Sequence, residues 1–259
     1  MTDAEPLVRE QRGAVLIARL DRPQARNALT AELIRAIGTA IVDAEREPDV
    51  RALVLTGTGD RAFCAGMDLR AFAAGDAFGF GDDDVAHAFH RLLEGRVTVP
   101  LVGAANGAAV AGGFELLLGC DVIVAAEHAT FGLPEVQRGL LPAGGGTFLG
   151  TRIPLSVALE MTLTGDPITA ARAYALGLVN AVVPADEALA RAVEIADRIA
   201  RNGPLAISAV KELVRLGTVD VTGAWARLRE LQPVVFGSED AREGARAFVE
   251  QRTPKWQGR

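Results

Sequence analysis

The chain has 259 residues, 49% hydrophobic and 23% charged, which is enough for one large domain with a buried core and too apolar for a disordered protein. A formal net charge of −6, with no Lys/Arg-rich run, leaves no electrostatic footprint for nucleic acid. Cys64 and Cys120 are too few for a disulfide framework or a cysteine-ligated metal centre.

The opening MTDAEPLVRE lacks a basic stretch followed by an apolar run, so a cytoplasmic protein is expected. Two β-type runs come first, Leu7–Glu10 and Ala14–Leu20, split by Gln11-Arg12-Gly13 in hairpin spacing. DRPQARNAL reads as a loop. Thr30 then caps a helix over Ala31–Glu47, with Leu33, Ile37, Ile41 and Ala44 on one face. Ala52–Thr56 is a short buried strand, and FCAGMDL carries the chain from loop to helix. Gly75–Asp84 reads as a mobile surface loop, and Val85–Gly95 as a helix.

From Leu101 to Ala126 the chain is long enough to span a bilayer, but it carries Glu115 and Asp121. Charges near the centre of a span cost about 2.5–3.5 kcal/mol each. The segment is therefore read as strand Leu101–Ala105, helix Gly112–Gly119 and strand Val122–Ala126, and no membrane partner is expected. Beyond Gly146 the pattern turns helical, with a last strand at Val179–Val183 and none past Pro204. The expected organisation is an α/β core over residues 1–200 and a helical region over 201–259.

Several chemistries lack their motif. Ser156, Ser208 and Ser238 are not in a G-x-S-x-G elbow, and no G-x-G-x-x-G follows a strand. Gly107 and Gly112 have phosphate-loop spacing, but Gly113 and Phe114 stand where lysine and a hydroxyl are needed. His87 and His90 lie on a helix beside Asp82–Asp84 and read as a solvated face rather than a metal pair.

Glu115 sits in the most apolar stretch, after Gly112 and Gly113, and Glu135 follows Pro134 upstream of Gly144–Gly146. A carboxylate buried there must be paired, neutralised or used. Taken singly, each feature has a bland explanation. Asp68 could cap a helix, Glu115 could favour a helix N-terminus, and Glu135 could be a surface acid. Together, two acids beside unpaired backbone N–H groups make an acid/base site with an anion hole.

In order and spacing, FCAGMDL, AGGFELLLGCD and FGLPEVQRGLLPAGGGT resemble the enoyl-CoA hydratase/isomerase (crotonase) superfamily. DRPQARNAL, LTGDPITAARAYALGLVNAVV and SEDAREGARAFVEQRTPKW extend the likeness over essentially the whole chain. The resemblance implies a spiral of ββα units followed by a C-terminal helical oligomerisation region, with assembly as a homotrimer or dimer of trimers. It implies that the Met67 and Gly112 amides hold a thioester oxygen, and that Glu115 and Glu135 handle protons around one water. Arg26, Ala28, Ala65, Met67 and Leu69 would bind coenzyme A, which belongs to the substrate, with no separate cofactor and no metal.

Two retained acids point to hydration of a 2-enoyl-CoA. The alternatives are isomerase or another enolate chemistry, and a non-catalytic acyl-CoA-binding protein. Leu133 replaces a glutamine common in short-chain hydratases, and Pro142-Ala143-Gly144 changes the usual proline–glycine order. With the form PEVQRGLLPAGGG these departures resemble the branch holding carnitinyl-CoA dehydratases, which implies a branched or polar acyl group.

Overall fold

The computed structural model describes residues 5–73 and 81–259. Residues 75–80 of the expected mobile loop lie outside the described part, whereas Asp83 at its end caps the helix that follows. β1 (Leu7–Arg12) and β2 (Val15–Leu20) form the expected hairpin, and Gly13 takes the left-handed turn position at φ 57°. α1 (Ala31–Arg46) begins where Thr30 accepts a hydrogen bond from the Leu33 amide at 3.3 Å, and buries Leu33, Ile37 and Ile41.

A two-strand-and-helix unit then repeats. β3 (Ala52–Gly57), β4 (Ala62–Cys64), α2 (Leu69–Ala73) and α3 (Asp84–Leu93) form the first turn. β5 (Leu101–Ala105), β6 (Ala108–Val110) and α4 (Gly112–Gly119) form the second. β7 (Val122–Ala126) and β8 (Thr130–Gly132) start a third that continues in 3₁₀ turns at Pro134–Arg138 and Gly146–Thr151. α5 (Leu155–Thr164), β9 (Ile168–Thr169), α6 (Ala170–Ala175), β10 (Ala181–Val183) and α7 (Ala188–Ala200) complete the core.

The first strand of each unit joins one sheet and the second joins another. The larger sheet runs β1-β2-β3-β5-β7-β10, parallel except for the β1 edge; the smaller runs β4-β6-β8-β9. This is the spiral of ββα units that the sequence resemblance implies. All of β3 and β5 is buried, as expected of parallel strands covered on both faces. On one face Ala192, Ala196 and Ala200 of α7 lie against Val54, Val102 and Val124, the small residues letting the helix approach. On the other, Leu53, Leu55 and Leu101 meet α1 and the aromatic centre of Phe63, Phe114 and Phe131. The three-residue strands β4, β6 and β8 were not foreseen; they are too short to show a period and exist through pairing with one another.

Past the core come α8 (Pro204–Gly217), α9 (Val221–Gly237) and α10 (Glu239–Val249). The last residues form a strap folded back onto α10. Asp240 accepts the Gln257 and Gly258 amides at 2.6 and 3.0 Å, and Glu243 accepts the Lys255 amide at 2.8 Å and Arg252 at 2.6 and 2.9 Å. Trp256 donates to the Arg201 carbonyl at 2.7 Å, and Arg51 donates to the Trp256 carbonyl, so the strap is fastened to the core. The Arg252 guanidinium and the Lys255 amide hold the Glu243 carboxyl down at about 2, from 4.5. Its contribution is thus complete above pH 4.5 and disappears as pH falls towards 2. Glu243→Gln is expected to loosen residues 252–255 at neutral pH, read as earlier tryptic cleavage at Arg252 and Lys255. At pH 2 the variant and parent should be cleaved alike by pepsin.

Candidate active site

The loop after β2 and the turn after β4 are built as one frame. Asn27 is fully buried with φ 54°, a conformation a short polar side chain tolerates because it bonds locally. Its side chain accepts the Arg22 amide at 3.0 Å and donates to the Thr58 and Ala62 carbonyls at 3.1 and 2.9 Å. Two residues on, the Leu29 amide donates to Gly66 at 2.8 Å and its carbonyl accepts from Asp68 at 2.9 Å, bracketing Met67. Arg22 donates to the Ala28 carbonyl and pairs with Asp68 at 3.4 Å, while Asp68 also caps α2 through the Arg70 amide. Asn27→Ala leaves the Arg22 amide and the Thr58 carbonyl without their side-chain partner, and the Ala62 carbonyl with only Asn106 at 3.3 Å, and should cost about 2–3 kcal/mol of stability, measured by denaturant unfolding.

Gly66 has φ 83°, and a Cβ there would stand 2.8 Å from the Val110 carbonyl and the Ala111 methyl, and 3.3 Å from the Gly112 nitrogen. The turn carrying Met67 therefore lies directly on the start of α4. Ala111 joins β6 to α4 at φ 52°, ψ −128°, a backbone state costing on the order of 1–3 kcal/mol for a non-glycine residue. That bend frees the first amide of the helix. Among the described residues neither the Met67 nor the Gly112 N–H has a hydrogen-bond partner. Gly113 is held to its size by the Cys64 carbonyl, which a Cβ would strike.

Glu115 lies in the first turn of α4, 5% exposed, and its Oε1 accepts the Gly144 and Gly146 amides at 2.6 and 2.9 Å. The glycine run thus points its N–H groups at this acid. A Cβ on Gly144 would stand 2.8 Å from Glu115 Oε2. Burial raises the Glu115 carboxyl above its ordinary value, and the two glycine amides oppose the rise. Glu135 sits in the Pro134–Arg138 turn, 9% exposed, so it is not a surface acid. Its Oε2 is buried without a hydrogen-bond partner. Burial raises its pKa first; its own backbone amide and the charge of Arg138 lower it, while the charge of Glu115 pushes it higher. The two acids therefore differ in kind. Glu115 has two amide donors on one oxygen, and Glu135 has an oxygen with none.

A cavity of about 590 Å³ opens beside these segments, lined among others by Arg26, Arg61, His128, Ala65 and Val110. Ala65 and Val110 directly precede Gly66 and Ala111, so the cavity borders the two segments that carry these amides. Arg26, Arg61 and His128, with Asp60 among them, stand over an apolar floor, and the two guanidinium groups suit a phosphate-bearing ligand. Of the residues expected to bind coenzyme A, Arg26 and Ala65 line this cavity. Ala28, Met67 and Leu69 do not: Ala28 is buried in the loop frame, Met67 is bracketed by Leu29, and Leu69 opens α2 and is exposed. Arg61 and His128 were missed, because each is alone in sequence and only β4, β6 and β8 bring them together. His87 bonds Asp82 at 2.9 Å, and among the described residues no group of three His, Cys, Asp or Glu side chains is arranged to hold a metal.

Residues 10–259 match the sequence model of the enoyl-CoA hydratase/isomerase family. The enoyl-CoA hydratase EchA19 of Mycobacterium tuberculosis is 42% identical over 255 residues, with 96% of each chain covered. A carnitinyl-CoA dehydratase of Proteus mirabilis is 40% identical, covering 96% of this chain and 97% of its own. The crystal structure of the enoyl-CoA hydratase EchA1 of Mycobacterium marinum superposes with a TM-score of 0.91 at 40% identity, covering 99% of this chain and all of the other. The frame around Met67, the bend at Ala111 and the two buried acids stand on a fold shared from end to end with these proteins, and the chain belongs to the enoyl-CoA hydratase/isomerase family.

Proposed function

We propose that this chain is an enoyl-CoA hydratase, a hydro-lyase that adds water across the 2,3 double bond of a trans-2-enoyl-CoA thioester. The observation that carries this reading is a pair of buried acids with unlike surroundings, Glu135 with Oε2 unpartnered and Glu115 held by the Gly144 and Gly146 amides. Isomerisation needs one acid, whereas hydration must take a proton from water and give one to carbon.

In this reading the thioester oxygen lies between the Met67 and Gly112 amides. Each preorganised donor contributes roughly 3–4 kcal/mol to the transition state once charge develops on that oxygen. Glu115 takes a proton from water as its oxygen bonds to Cβ. The double-bond electrons move onto the thioester as an enolate, and Glu135 delivers its proton to Cα. The pair resets when the proton gained by Glu115 returns to Glu135. The chemistry is acid–base throughout and calls on no cofactor beyond the coenzyme A that the substrate carries, bound along the Arg26–Ala65 cavity.

Both directions are open to such a site, and the resemblance to carnitinyl-CoA dehydratases supports dehydration of a polar 3-hydroxyacyl-CoA as a second substrate class. Exposed apolar side chains on α8 and α9, Val214, Val221, Trp225 and Phe236 among them, support assembly as a homotrimer or dimer of trimers through residues 201–259. Two free, buried thiols suit a cytoplasmic setting.

The test follows loss of conjugated absorbance with crotonyl-CoA and a panel of longer and polar 2-enoyl-CoAs. Folded protein with no turnover on any of them would refute the reading. Uptake of ¹⁸O from labelled water into the product separates hydration from isomerisation. The rate should be bell-shaped in pH. Activity falls on the acid side as Glu115 takes up a proton and on the alkaline side as Glu135 loses its own, both limbs above the ordinary 4.5.

A further inference from the structure

The last four carbonyls of an α-helix have no partner within it, and they form its negative pole. In α4 all four are taken. Leu116 accepts from the Cys120 thiol at 3.4 Å and Leu117 from the Cys120 amide at 3.0 Å. Leu118 accepts from Arg152 Nη1 at 2.8 Å, and Gly119 from Arg215 Nη2 at 3.1 Å. The same Arg215 nitrogen reaches the Cys120 carbonyl at 3.0 Å. Gly95 makes room for this guanidinium, since a Cβ there would collide with it.

One helical turn before Arg215 on α8, Lys211 contacts Asp121 Oδ2 at 2.7 Å and donates to the Val99 carbonyl at 3.1 Å. Asp121 also takes Arg215 at 2.9 Å and the Leu101 amide at 2.8 Å. The Lys211, Asp121 and Arg215 side chains are only 10, 18 and 29% exposed. Three cations and one anion are therefore gathered at the end of α4. Holding charge of one sign out of water is costly, and a latch could use an apolar contact instead.

The opposite end of this helix carries the free Gly112 amide, about 12 Å away at the α-helical rise. A negative pole at that distance opposes the attraction of an N-terminal amide for an oxyanion. Cations on the last carbonyls cancel that opposition. We propose that Arg215, with Lys211 and Arg152, is a positioning residue of the oxyanion hole: α8 caps the negative end of the catalytic helix and so strengthens its positive end. The proposal rests on the oxyanion reading above. It gives the C-terminal helices a part in the chemistry in addition to assembly.

The experiment uses the full chain and an aryl-conjugated 2-enoyl-CoA, whose near-ultraviolet band moves to the red as its carbonyl is polarised. Arg215→Met and Arg152→Met should each lower kcat about three- to tenfold with KM within about twofold, and should shrink the red shift. Arg215→Lys should restore part of both. Asp121→Asn removes the carboxylate that pairs with Lys211 and Arg215 but keeps an acceptor for the Leu101 amide, so its red shift should equal or exceed that of the parent. A mere latch predicts the reverse, a loss in Asp121→Asn like that in Arg215→Met, and that result overturns the proposal. An unchanged red shift in both methionine variants also overturns it. Should Arg215→Met not fold, Arg152→Met and Asp121→Asn decide. Absence of any red shift in the parent defeats the oxyanion reading itself, which separates the two failures.

Discussion

Glu135→Gln is expected to lower kcat for hydration by about 10³-fold or more while leaving the affinity for free coenzyme A unchanged. Glutamine keeps the shape and burial of the side chain but cannot deliver a proton to Cα. Glu115→Gln should lose activity on the same scale, by failing to take the proton from water. The two variants part company in stability. Glu135 is buried with Oε2 unpartnered and with the charge of Glu115 raising its pKa, so its ionised form destabilises the fold. A group whose pKa is raised on folding costs stability above its ordinary value of 4.5 and none below it. Glu135→Gln should therefore melt higher than the parent at pH 8 and at the same temperature near pH 4. The raised pKa of Glu115 costs stability in the same pH range, but glutamine accepts the Gly144 and Gly146 amides less strongly than the carboxylate, so Glu115→Gln should gain less than Glu135→Gln. A Glu135→Gln enzyme with more than a tenth of parental kcat, or an equal rise in melting temperature from both variants, would contradict the assignment of roles.

Gly66→Ala is expected to cut kcat/KM by about 10²–10³-fold. The added methyl would stand 2.8 Å from the Val110 carbonyl and the Ala111 methyl, where nothing can yield without moving the start of α4. The left-handed φ of 83° adds about 1–2 kcal/mol of backbone strain for alanine. Separating the Met67 turn from Gly112 breaks the pair of amides, and an oxyanion held by one donor loses about the binding of the other. Free coenzyme A has no acyl carbonyl and should bind the variant within about threefold of the parent, while a 2-enoyl-CoA shows the loss. Equal weakening of both ligands would indicate a general disturbance instead.

Local chemistry was legible wherever a residue type can do one thing only. Thr30 capped a helix, Gly13 turned a hairpin, and the apolar runs of β3 and β5 marked buried parallel strands. The acids at 115 and 135 could be picked out because charge in or beside such sequence demands a reason. The order of the motifs carried the family.

What lay beyond the sequence was every relation across the smaller sheet. Strands of three residues have no period, so β4, β6 and β8 left no trace, and the Arg61–His128 side of the cavity went with them. The same holds for Asn27, whose three bonds run to residues five to thirty-five positions away. It holds as well for the caps that Arg152 and Arg215 place on α4, 34 and 96 positions away in the chain. Composition, caps and periodicity determined which segments would be helix, strand and buried acid, because those depend on near neighbours. Only the tertiary structure decided that the Met67 turn lies on the start of α4, that Glu115 is held by glycines while Glu135 keeps one oxygen without a partner, and that cations close the far end of the helix. Backbone donors carry no side-chain signature, and burial is a property of what the rest of the chain brings near.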